Sequence, residues 1–111
     1  MRHLVDKIWN TGSCEEIDFY SLLNLSRDNV LQGSKIFIGS DSFTNKDKIC
    51  FSTALCLHGG AHGGRYFFFK DFVFKNQFTN LVSRITEETR RSVELASLLM
   101  EEYGFHPSTM E

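Results

Sequence analysis

The chain has 111 residues, 41% of them hydrophobic, including 11 Phe, and a formal net charge of −2. That composition supports one folded domain with a core and excludes a disordered chain. It carries no overall basic footprint for nucleic acid, although an acidic nuclease centre with a local basic rim is compatible with this charge. No apolar run approaches the ~20 residues that span a bilayer. Asp6 and Lys7 interrupt the N-terminal apolar stretch, so a secretory signal is not expected there. Cys14, Cys50 and Cys56 form no CxxC pair, and an odd count fits reduced thiols in a cytoplasmic protein.

Residues 1–9 read as a short amphipathic segment with Leu4, Val5, Ile8 and Trp9 apolar, broken by Asn10-Thr11-Gly12. Ser13 followed by Glu16 matches a capping box and predicts a helix over 14–25. Ile17, Tyr20, Leu22 and Leu23 form its loose stripe. Residues 26–34 are polar and read as a linker. The domain reading is therefore a helical N-terminal region over 1–33 and a core over 34–111.

Strand candidates follow at 34–41, 49–58 and 64–74. In the second, both alternating sides are apolar or small, which suits a strand covered on part of each face. The connections TNKDK and GGAHG are too short for parallel crossovers, so the three strands form an antiparallel meander. A long helix then runs from Thr79 or Asn80 to Tyr103, with Gly104 and Pro107 as its stop signals. Leu81, Ile85, Thr89, Ser92, Ala96, Leu99 and Tyr103 recur at helical spacing and mark the inner stripe. On that compass Glu87 and Glu94 point to solvent, paired with Arg84, Arg90 and Arg91, and Glu88 leans toward the sheet. Residues 108–111 look like the start of another strand.

The stretch with chemistry in it is KIFIGSDS, residues 35–42. An apolar run delivers Asp41 to the end of a strand. Asp41 either opens a turn with Ser42 and Asn45, or serves as a metal ligand. His58 and His62 flank a glycine-rich turn, where zinc would lack further ligands, so a polar-tipped hairpin accounts for them. Arg65, Lys70, Lys75, Arg84, Arg90 and Arg91 could form a basic edge. With Tyr66, Phe68 or Phe69 this edge is either a stacking platform for bases or, for the aromatics, part of the core. Ser40, Ser42 and His58 lack the nucleophile elbow of an acyl-transfer enzyme.

The motifs IGSDS, FSTALCLH, GGRYFFFK and RITEETRRSVELASLL, in this order, resemble the YkuK-like family of predicted ribonuclease H-related nucleases. The resemblance covers residues 35–111. It implies an α/β chain of α+β order with a ribonuclease H-like fold: a three-stranded antiparallel meander, then a long helix, ending before or at the fourth strand. It also implies a metal-dependent nuclease acting on RNA, DNA or a hybrid, with two Mg²⁺ or Mn²⁺ ions. Asp41 would bridge the ions and Glu88 would hold one, with Glu94 as the alternate acid. Ser42, Arg65 and Lys70 would contact the nucleic acid. Further acids come, in that family, from the fourth strand and a later helix, so residues 1–111 are expected to show weak or no cleavage. The alternative is a non-catalytic ribonuclease H-like binding module. An open sheet edge at Met110 would allow a homodimer.

Overall fold

The computed structural model describes residues 2–60, 64–78 and 80–110. His62 and Thr79, named above, and residue 111 lie outside the described residues. Among the described residues, five strands form one antiparallel sheet in the order β2-β1-β5-β4-β3. The strands are β1 (Ile8–Thr11), β2 (Glu16–Asp18), β3 (Lys35–Asn45), β4 (Lys48–His58) and β5 (Arg65–Phe74). The helices are α1 (Arg2–Val5), α2 (Phe19–Leu31) and α3 (Leu81–Glu101), with short 3₁₀ turns at Lys75–Gln77 and Pro107–Thr109. The expected meander is thus β3-β4-β5, but it is the larger part of a five-stranded sheet rather than a sheet of three.

The additional strands come from the N-terminal segment expected to be helical. Ile8, Trp9 and Asn10 pair with Asp18, Ile17 and Glu16, and β1 also pairs with β5. The Ser13 and Glu16 pattern is not a cap. Thr11 Oγ1 instead accepts the backbone N–H groups of Ser13 and Glu15, and Cys14 takes a positive φ of 65°. That is turn chemistry closing a hairpin. The helix starts later, at Phe19, and absorbs most of the expected linker. It ends where Gly33 adopts φ 99° and Ser34 N–H reaches back to the Asn29 carbonyl.

The β3–β4 hairpin runs in unbroken register from Lys35↔His58 to Asn45↔Lys48, and β4–β5 from Lys48↔Phe74 to Leu57↔Arg65. Strand alternation therefore sorts every side chain to one of two faces. The inner face carries Ile36, Leu55, Leu57, Phe67 and Phe69, packed with Trp9 and with Phe19, Leu22, Leu95, Leu98 and Leu99 of the two longer helices. Trp9 is fully buried, edge-on to Phe69 at 4.7 Å between ring centroids. Gly60 ties the β4–β5 turn to the α2–β3 connection. It has φ 70°, and a Cβ there would sit 2.8 Å from the Gln32 carbonyl oxygen.

Asn80 caps α3, its side chain accepting from the Ser83 N–H. The expected stripe of the helix holds in its C-terminal part, where Ser92, Leu99 and Tyr103 turn inward, but not in its first turns. Leu81, Val82, Ile85 and Val93 are 51–74% exposed. Its inward face begins with Arg84, Glu87, Glu88 and Arg91 and becomes apolar only at Leu95, Leu98 and Leu99. After the 3₁₀ turn, Met110 forms a parallel bridge to Ile36. This places the last described residue beside β3, where the expected fourth strand would begin. No helix among the described residues is long and apolar enough to cross a membrane.

Candidate functional site

On β3, Ser40 and Ser42 face α3. Ser92 Oγ donates to Ser40 Oγ at 2.9 Å, and Ser42 Oγ donates to Glu88 Oε2 at 2.5 Å while accepting from Arg84 Nη2 at 3.1 Å. Glu88 thus turns toward the sheet, as its place beside the stripe implied. Asp41 lies between the two serines in an unbroken ladder, so its side chain takes the opposite face. It is exposed, and Oδ1 accepts the neighbouring Ser42 backbone N–H at 2.8 Å. Nor does Asp41 end the strand, since β3 continues to Asn45.

Two divalent cations need several oxygen ligands converging on one point. Asp41 and Glu88 are divided by the sheet, and no group of three or more His, Cys, Asp or Glu among the described residues is placed to hold a metal ion. The described residues therefore do not fit a two-cation centre.

The inner face holds an ion-pair network in which Glu87 and Glu94 do pair with Arg90 and Arg91 as expected, but turned inward and joined by Asp71 and Lys7, which the sequence reading missed. Arg91 donates through Nη1 to Asp71 at 2.8 Å and through Nε to Glu87 at 2.7 Å. Lys7 also pairs with Asp71. Arg90 binds Glu87 through two nitrogens and Glu94 through a third. Glu87 and Glu94 side chains are only 12% and 15% exposed, so they are not a solvated face. With Asp71, Arg90 and Arg91, Glu94 lines a cavity of about 100 Å³. Burial works to raise the Asp71 pKa, but hydrogen bonds and charge from Lys7 and Arg91 outweigh it and hold the carboxyl below its ordinary value. The Arg90 hydrogen bonds, against partial burial and with help from Arg91, lower Glu87 likewise. Asp71, Glu87 and Glu94 are thereby committed to arginine and lysine partners. Asp71 shares its strand parity with Phe67 and Phe69, and that was the signal available in the sequence.

The residues expected to contact nucleic acid do not share a surface. Ser42 is held against Glu88 on the inner face. Arg65 is on the inner-face parity of β5 and lines a depression with Asp28, Asn29 and Gln32 of α2 and its C-terminal end. Lys70 stands on the opposite face, its ammonium 5.8 Å from the ring centroids of both Phe43 and Phe68. Of the aromatics, Phe69 is core, whereas Tyr66 and Phe68 lie on the Lys70 face with their rings stacked. His58 is exposed on that same face, edge-on to Phe37.

A family model described as Ribonuclease H-like matches residues 19–110. No curated protein and no solved structure matches the chain. The matched span takes in both longer helices, the β3-β4-β5 meander and the Met110 bridge. The chain therefore belongs to the ribonuclease H-like family, the YkuK family.

Proposed function

We propose that the protein works on nucleic acid as a ribonuclease H-like binding domain, and that Asp41 and Glu88 do not form a joint hydrolytic centre. The family match supports the first part. The observation that carries the second is the alternation on β3, which gives Ser42 to Glu88 and turns Asp41 to the other side of the sheet. The test is fluorescence anisotropy with labelled RNA, DNA and RNA–DNA hybrid, run beside a cleavage assay titrated with Mg²⁺ and Mn²⁺. Binding without Asp41-dependent cleavage is the expected result. Cleavage by residues 1–111 that is lost in both Asp41→Asn and Glu88→Gln would refute the division of the two acids.

A second reading, metal-dependent phosphodiester hydrolysis, is favoured by the setting of Asp41. It is an exposed carboxylate within the IGSDS stretch, bonded to a backbone N–H, whereas Asp71 is neutralised by Lys7 and Arg91. Asp41 would then be a metal ligand without Glu88 as its partner. The same cleavage assay separates the readings: loss in Asp41→Asn with full retention in Glu88→Gln would favour this one.

A further inference from the structure

We infer that the face of β3-β4-β5 turned away from α2 and α3 is a platform for single-stranded nucleic acid, which rests on the nucleic-acid reading above and names its ligand class and surface. Among the described residues, no helix covers this face. Four large aromatics on it, Phe43, Tyr66, Phe72 and Phe74, are 47–57% exposed. Exposed aromatic side chains aligned on one side of a sheet are uncommon in a monomer surface and mark an interaction site.

Their arrangement is ordered by the register. Gly39, Ala54 and Phe68 form one cross-strand row, then Asp41, Ser52 and Lys70, then Phe43, Cys50 and Phe72. Small residues of the central strand form a floor, and rings rise from the strands on either side. Gly39 opens that floor further: a Cβ built there meets no atom within 4 Å.

Charge decides what fits. Lys70 sits over the rings of Phe43 and Phe68, and Lys48 over Phe74 at 5.7 Å. Against them on these three strands stands the single carboxylate Asp41. The acids of this face otherwise lie on β2, where Glu16 and Asp18 pair with Asn10 and Ile8. The basic and aromatic part of the face is thus set apart within a chain of net charge −2. Flat rings beside ammonium groups are what a strand of unpaired bases and phosphates requires. Stacking needs bases free of a duplex, so the ligand is a single strand.

The test is anisotropy of labelled 12-nucleotide oligo-U and oligo-dT against a blunt duplex, across a salt series, with urea unfolding to check each variant. Preference for the single strands is expected. Phe72→Ala and Gly39→Glu should each weaken binding about tenfold or more. Lys70→Ala should flatten the slope of log affinity against log salt by about 0.7. Val82→Ser, on the outer side of α3, should leave affinity unchanged. If nucleic acid binds but Phe72→Ala and Gly39→Glu bind as well as the parent, the platform is wrong and the nucleic-acid reading stands. If no oligonucleotide or duplex binds, the nucleic-acid reading itself falls. If the protein is a dimer that Gly39→Glu dissociates while affinity for oligo-U rises, the face belongs to a second copy and the proposal is overturned.

Discussion

The two faces of the sheet use the same residue types for opposite purposes. The inner face places Lys7, Arg90 and Arg91 against Asp71, Glu87 and Glu94, so each of these six charges is bound to another. Arg91 also lies 4.5 Å from the Phe51 ring centroid. The outer face places Lys48 and Lys70 beside aromatic rings that remain half exposed. Charge satisfied by charge holds α3 on the sheet. Charge resting on an exposed ring leaves both groups available to a ligand. Stability should therefore reside on one face and recognition on the other.

The largest expected effects are on the inner face. Leu98 is fully buried, and Leu98→Ala should cost about 3 kcal/mol in urea unfolding. Arg91→Ala should cost about 2 kcal/mol, because it removes the charged hydrogen bonds to Asp71 and Glu87, although Asp71 keeps Lys7 and Glu87 keeps Arg90. A loss below ~1 kcal/mol would show that the network does not hold α3. Gly60→Ala should cost about 2 kcal/mol, since the positive φ and the Gln32 carbonyl both oppose a side chain.

A smaller effect follows from acid. Asp71 and Glu87 are both held below their ordinary values, so the folded chain binds fewer protons than the unfolded one around pH 4. Their contribution is complete above the unfolded values and is lost as pH falls through the folded ones. Urea midpoints measured from pH 7 to pH 2 should drop less steeply in Asp71→Asn than in the parent. An equal slope would refute the pairing. On the outer face Phe72→Ala should shift stability by no more than about 0.5 kcal/mol while affecting binding.

The meander was legible because β3, β4 and β5 combine β-branched and aromatic runs with short turns, and α3 because its cap, length and stop are local. The β1–β2 hairpin was not. Its strands are short, and the same Ser13 and Glu16 that satisfy a capping pattern also suit the strand-bounding turn that Trp9 and Ile17 pairing selects. The stripe of α3 fails only in its first turns, where apolar Leu81 and Ile85 outrank Arg91 as inward residues in the sequence, while Ser92 and Leu99 do face inward. Only the partner acid on β5 makes an inward arginine favourable, and that pairing is tertiary. For Asp41 the sequence gives the alternation with Ser40 and Ser42, but not which parity meets the helix. The candidate site turned on that choice.

The division of labour between the faces is tested most directly by side-chain NMR during titration with oligo-U. The account predicts shifts in the ring signals of Phe43, Tyr66 and Phe72, with the methyls of Val82, Leu95 and Leu98 unmoved. Methyl shifts along α3 with unmoved outer-face rings would contradict it.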